Sequence, residues 1–341
     1  MAETTWFCPS TISIALSWKS RVFARLTLWQ RSCTNGSEES GETYGTFLLE
    51  TAACASRLRS LKEIDLVRRR AVLDPRRQNS VIVQEPSLRA LNFELERAIK
   101  NKELFLEFQP KIHIGSDRLA GVEALAQWRH PDRGKVPTDE LASFTRDAGL
   151  TEALTDWTLN ASLRALNSWR TKEYDFGVSV NLPTNSLRST RLPDIVQEKL
   201  KVWGERPEGL TLELTEEGIS ITSDAAVGHL HELRRIGCKL SLDKFGTGYT
   251  SLSYIQRIPL DEVKIDSSFV QAVCSEPIAA SIVRAVISLA RSLKLRVMAE
   301  GVEEEDIFDW LRSAGCDQAQ GIFVAHVMVR EELDRWLETR R

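Results

Sequence analysis

The chain has 341 residues, 42% hydrophobic and 27% charged, with a formal net charge of −3. That is enough apolar material for a sizeable core, and the charge excludes the basic footprint of nonspecific nucleic-acid binding. Six cysteines (Cys8, Cys33, Cys54, Cys238, Cys274, Cys316) are scattered without a CxxC pair. This argues against a disulfide framework or a structural zinc and for a reducing, cytoplasmic setting.

No window supplies the ~18 uncharged residues that a membrane span requires. The apolar stretch TISIALSWKSRVFARLTLW is broken by Lys19, Arg21 and Arg25. It reads as an amphipathic surface helix or a poor signal peptide, without a small-residue cleavage site. Residues 1–85 also hold the polar NGSEESGE patch and the basic run Arg68, Arg69, Arg70, and they show no sustained period. An extension of unknown structure is expected there, with a docking segment as the alternative.

From residue 86 the pattern changes. SLRALNFELERAIKN places Leu88, Leu91, Phe93, Leu95 and Ile99 at helical spacing. Eight β-like runs follow, namely LFLEFQPKI, AGVEALAQW, GVSVNLP, LTLELTE, KLSLDKF, EVKIDSSF, RVMAEGV and QAQGIFV. Amphipathic stretches such as SDAAVGHLHELRRIG and AASIVRAVISLARSL separate most of them. Alternating strand and helix means a mainly parallel sheet with helical crossovers, and the length suits a (β/α)8 barrel of about 250 residues. Only the polar GSDR separates the first two runs, which predicts a hairpin and hence one antiparallel strand in a modified TIM barrel. An open doubly wound sheet is the alternative, but no strand leads into GxGxxG or a P-loop.

Barrel chemistry gathers at the C-terminal ends of the strands. Most of these apolar runs end in a polar residue: Glu123, Asn181, Glu213, Asp243, Lys264 with Asp266, Glu300 and Gln320. Unpaired charges are disfavoured in strand interiors, so their recurrence predicts convergence on one site. Clustered carboxylates and an amide oxygen suit a hard cation, Mg2+ or Mn2+. With a lysine nearby they fit metal-assisted phosphate-ester hydrolysis. Glycoside hydrolysis is the chemical rival, but the rim has few aromatics to stack a sugar.

At these residues the chain resembles the EAL family of cyclic-di-GMP phosphodiesterases. The signature stands as Glu123-Ala124-Leu125, followed by VNL (180–182), ELTE (213–216), FGTGYTSLSY (245–254), VKID (263–266), AEGVE (299–303) and QG (320–321). The resemblance implies that Glu123, Asn181, Glu213 and Asp243 are metal ligands. It implies catalytic roles for Lys264, which would orient or activate the attacking water, and for Glu300. Leu125, Gln127, Gln320 and Asp266 would contact substrate, and Glu216 would pin the loop 245–251 that couples substrate binding to dimerisation. The implied reaction opens cyclic-di-GMP to pGpG, and the implied partners are that nucleotide, a second copy through the barrel, and a regulatory protein.

The family pattern has two consecutive aspartates where this chain has Asp243 and Lys244. The swap exchanges an anionic ligand of the second metal for a cation, so one metal site is expected to survive and the other to be lost. Gln127 replaces an arginine, Pro183 replaces a serine, and the last segment reads IFVAHVM. The sequence therefore predicts a domain that binds cyclic-di-GMP or a regulatory partner with hydrolysis lost or strongly reduced. An active phosphodiesterase and a protein-binding module without nucleotide are the alternatives. His229 and His231 lie two apart on a predicted helix and are poor joint ligands; Trp128, Trp157 and Trp169 are expected in the core.

Overall fold

The computed structural model describes residues 88–136, 141, 148–216, 218, 223–247 and 252–340. The expectations for residues 1–85, including the amphipathic stretch and Arg68–Arg70, lie outside these residues, as does most of the loop after Gly246.

Helix α1 (Leu88–Asn101) leads into the hairpin of β1 (Leu104–His113) and β2 (Leu119–His130), antiparallel as expected. A short β3 (Gly134–Val136) folds back on β2. Then come α2 (Ala148–Arg170), β4 (Gly177–Asn181), α3 (Leu192–Trp203), β5 (Leu210–Thr215), α4 (Asp224–Ile236) and β6 (Lys239–Phe245). The chain continues through α5 (Leu252–Arg257), β7 (Glu262–Ile265), α6 (Ser267–Val270), α7 (Pro277–Ser292), β8 (Arg296–Ala299) and α8 (Glu305–Ala314). It ends with β9 (Gln318–Ala319), β10 (Met328–Val329) and α9 (Arg330–Glu338).

Strands β2, β4, β5, β6, β7, β8 and β9 pair in parallel in that order. β1 closes the ring, antiparallel to both β2 and β9. The result is a closed eight-strand barrel, and the one reversed strand is the one the hairpin predicted. The parallel strands are buried on both faces, which is why they read as nearly continuous apolar runs. Each crossover helix lays one apolar stripe on them; in α7 the buried Val283, Val286, Ile287 and Ala290 repeat at i, i+3, i+4 and i+7. A smaller cluster (Leu95, Ala98, Leu104, Ala126, Trp128, Leu154) fixes α1 to the hairpin. Trp128 and Trp169 are fully buried, and Trp157 packs partly buried.

Several predicted strands end sooner than expected, EVKIDSSF and QAQGIFV by the most. The run EVKIDSSF stops at Ile265, because Asp266 caps α6 by accepting from the Ser268 backbone N–H at 2.9 Å. The run QAQGIFV keeps only two strand residues before the chain turns at Gly321. There a Cβ would lie 2.1 Å from the Val302 carbonyl oxygen, so only glycine admits this backbone approach.

Candidate active site at the barrel mouth

The register brings the polar strand ends to one level. Asn181 on β4 stands beside Glu213 on β5, and the backbone N–H groups of Glu300 and Gln320 bond to Ile265 and Ala299 on the neighbouring strands. Glu123, Leu125, Asn181, Asp243, Glu300 and Gln320 help to line a cavity of about 690 Å3, whereas Glu213 and Lys264 are buried off its lining. That volume lies within the usual range for small-molecule pockets, ~300–1,000 Å3.

Lys264 is the hub. Its side chain is fully buried, and its Nζ lies 2.5 Å from Glu300, 2.6 Å from Glu213, 3.1 Å from Glu123 and 3.2 Å from Asp243. Glu123 also accepts from Asn181 Nδ2 at 2.7 Å and from Gln320 Nε2 at 2.9 Å. Beneath them, Lys111 donates to Glu213 Oε1 at 2.5 Å and to Ser179 Oγ at 2.8 Å. Gln109 accepts from Gln320 at 2.8 Å and also lines the cavity. Neither Lys111 nor Gln109 was expected at the site. Both come from the antiparallel strand, whose inward period-2 positions carry the signal, but whose reversed direction hides which end faces the mouth.

Burial opposes charge at Glu123, Glu213, Glu300 and Lys264; the partners outweigh it at Glu123 and Lys264, and burial prevails at Glu213 and Glu300. Burial pushes Glu123 up, but Lys264, Lys111 and the Gln320 and Asn181 hydrogen bonds hold it down at about 2. Burial pushes Glu300 up to about 8, helped by Asp243 and Glu123 against the opposing Lys264. Glu213 is raised by burial and by Glu123, against Lys111 and Lys264. Burial favours neutral Lys264, but its four carboxylates keep it charged and raise its pKa well above the ordinary value.

These shifts set opposite limbs of a stability profile. Glu123 is depressed, so its contribution is present above its ordinary value of 4.5 and is lost as pH falls toward 2. Glu300 is raised, so the folded state binds its proton more tightly, and that contribution fades as pH rises from 4.5 to 8. Without divalent cations, the melting temperature is expected to fall between about pH 4.5 and about pH 8, and Glu300→Gln is expected to flatten that limb. Thermal unfolding across the pH series checks both.

The residues expected to bind substrate divide. Leu125 and Gln320 line the cavity. Gln127 shares their strand face or level but is buried away from the cavity, 6% exposed. Asp266 spends its carboxylate on the α6 cap, bonding the Ser268 N–H and Oγ. The structure thus does not bring these two to the cavity wall: Asp266 caps α6, and Gln127 lies off the lining, as Glu213 and Lys264 also do. Glu216 is buried and accepts from the Gly246 N–H at 2.8 Å, at the start of the loop it was expected to pin. His326 is exposed and off the cavity. His229 and His231 bond separate carbonyls, of Leu187 and Arg257.

Lys244 stands on the cavity wall, exposed beside the buried Asp243. The β6–β7 register slips here: Leu242 faces Val263, then Phe245 faces Ile265, so Asp243 and Lys244 together oppose Lys264. This bulge turns Lys244 into the left-handed region, φ 57°. Asparagine and aspartate tolerate that backbone better than lysine does. Pro183, also on the cavity wall, begins a 3-10 turn over Thr184–Arg188 and accepts from Ser186 N at 2.8 Å.

Among the described residues no three His, Cys, Asp or Glu side chains form a ready cage, because the carboxylates close on Lys264. Four carboxylates face two buried ammoniums, which leaves two negative charges uncompensated when all four are ionised and one when Glu300, raised to about 8, holds its proton. Gln320 Oε1 is buried without a hydrogen bond among the described residues, and Asp243 Oδ1 has only the ion pair with Lys264 at 3.2 Å, not a well-formed hydrogen bond. Oxygen donors with that charge deficit fit one hard divalent cation. Lys244 does not fit a second.

Comparison with known proteins gives the same direction. The EAL domain family matches residues 93–326. An uncharacterized signaling protein of Caulobacter vibrioides is 36% identical over 73% of this chain and 30% of its own length. The cyclic di-GMP phosphodiesterase PA2567 of Pseudomonas aeruginosa is 34% identical over 71% of this chain and 42% of its own length. The oxygen sensor protein DosP of Escherichia coli K12 is 34% identical over 73% of this chain and 31% of its own. The chain thus spans less than half the length of these curated relatives. Among solved structures, the PaMucR phosphodiesterase in complex with c-di-GMP superposes with a TM-score of 0.68 at 33% identity, covering 71% of this chain and 99% of that one. The EAL enzyme Bd1971 bound to cAMP and cyclic-di-GMP superposes at 0.69 with 25% identity, covering 74% and 69%. No described helix is long and apolar enough to cross a membrane. With a family match over most of its length on a barrel of the same shape, this chain belongs to the EAL-domain family.

Proposed function

We propose that the barrel mouth binds cyclic-di-GMP and that its phosphodiester hydrolysis is strongly reduced, which makes the protein a component of cyclic-di-GMP signalling. The observation that carries this reading is Lys244, an exposed ammonium on the cavity wall directly beside Asp243.

Glu123, Asn181, Glu213 and Asp243 would hold one Mg2+ or Mn2+, which would polarise a phosphate oxygen and lower the pKa of a bound water. Around that site the chain's own groups divide the remaining work. Lys264 holds the carboxylates in place and orients the attacking water. Glu300 stands ready to take or give a proton at its carboxyl, and Gln320 presents its amide to the ligand. Leu125 supplies apolar contact. Glu216 anchors the loop after Phe245, which would link the site to a homodimer through the barrel. Lys244 donates a charge-assisted hydrogen bond to a phosphate oxygen. A protonated lysine cannot generate hydroxide as a second metal would, so binding outlasts turnover. The barrel domain takes residues 86–341, residues 1–85 form an extension, and the scattered cysteines favour a cytoplasmic setting.

Calorimetry with cyclic-di-GMP in chelator tests the binding half. Saturable binding is expected without divalent cations, and it should weaken in Lys244→Met. No binding with or without Mn2+ would sink the nucleotide and leave a protein-binding module.

A further inference from the structure

We infer that Lys111 is a positioning residue for the cation site, acting through Glu213. The inference rests on the reading that Glu123, Asn181, Glu213 and Asp243 form that site.

Barrel interiors are normally filled by bulky branched side chains. Here the level beneath the mouth instead holds a lysine that is 3% exposed. Burying an ammonium costs several kcal/mol, about what good pairing must offset, so its partners matter. Lys111 has two: Glu213 Oε1 at 2.5 Å and Ser179 Oγ at 2.8 Å. Lys264 takes the other oxygen of Glu213, Oε2, at 2.6 Å. The Glu213 side chain is fully buried, and it is gripped at one oxygen from below and at the other from the mouth side. That two-point hold fixes the carboxylate plane next to Asn181, its neighbour across the β4–β5 pairing. Neither Lys111 nor Glu213 lines the cavity, but Lys111 lies one level deeper, paired with Gly121 where Gln109 pairs with Glu123, so it reaches the mouth through the carboxylate it holds. Ser179 completes the grip by fixing the ammonium from β4, two residues before Asn181.

Two roles for a buried lysine at this place predict opposite signs. A lysine that merely balances charge repels a divalent cation, so its removal would tighten cation binding. A lysine that orients a ligand loosens binding when it is lost, as partners of metal ligands do, by about 10- to 100-fold.

The test is Mn2+ titration followed by electron paramagnetic resonance on the unsubstituted protein and on Lys111→Met, with thermal unfolding in parallel. The expected result is a folded variant that binds Mn2+ about 10- to 100-fold more weakly, while cyclic-di-GMP binding in chelator is retained. A folded Lys111→Met that binds Mn2+ as tightly as the unsubstituted protein, or more tightly, overturns the inference. Should Lys111→Met fail to fold, Ser179→Ala decides by the same criterion, since it removes one of the ammonium's two partners and keeps the lysine. A failure of the unsubstituted protein to bind Mn2+ would be seen before any variant is compared. That result would overturn the cation-site reading itself, and the Lys111 inference with it.

Discussion

Lys244→Asp is expected to raise pGpG formation from cyclic-di-GMP by about 100-fold or more in excess Mg2+ or Mn2+. Two unit charges ~4 Å apart interact by about 4 kcal/mol at an effective dielectric near 20, and a divalent ion doubles that. Lys244 is exposed and can swing away from the cavity, so most of that repulsion is relieved. Even a remaining ~3 kcal/mol is about 100-fold in rate. Aspartate also restores an anionic oxygen beside Asp243, and it suits the left-handed backbone at φ 57° better than lysine does. Pro183 and Gln127 remain in the variant, so activity below that of intact relatives is consistent with the account. Unchanged turnover in a folded Lys244→Asp would show that the defect lies elsewhere on the rim.

The second large effect concerns stability. Lys264→Met removes the hub of four carboxylates, all within 3.2 Å of its Nζ. Breaking a buried pair by deleting one partner typically costs about 3–5 kcal/mol, because the remaining charge is left buried. For a domain of this size that lowers the melting temperature by roughly 10 °C. Lys244→Met is the matching control, and no comparable loss is expected there because the side chain is exposed. Added Mn2+ should recover more stability in Lys264→Met than in the unsubstituted protein, since a cation can take over the charge that the lysine supplied. Equal melting temperatures for Lys264→Met and the unsubstituted protein would mean that the cluster is not held by that ammonium.

The barrel was legible in the sequence because its parallel strands are buried on both faces and its crossover helices carry one apolar stripe. Both leave an unbroken or periodic signal, as in KLSLDKF and AASIVRAVISLARSL. The rim was legible for a related reason: Glu123, Asn181, Glu213, Asp243 and Glu300 each interrupt or end an apolar run. Asp266 fits that pattern too, but an aspartate followed by two serines also makes a helix cap, and the cap is what formed. Gln127 was placed by family position alone, and burial put it off the cavity. Gln109 and Lys111 are inward positions two apart inside β1, whose reversed direction puts its N-terminal side at the mouth, so strand ends give no guide to them and only the period-2 spacing carries a signal. The short β3 and β10 are held by pairing with β2 and β1, a tertiary signal that two or three residues cannot carry.

Turnover by the unsubstituted protein tests the central claim most directly. Cyclic-di-GMP would be incubated with the protein in saturating Mn2+, and pGpG quantified beside Lys244→Asp at equal concentration. The account predicts little or no pGpG from the unsubstituted protein, together with saturable cyclic-di-GMP binding, and ready formation by the variant. Ready turnover by the unsubstituted protein, with no gain from Lys244→Asp, would contradict it.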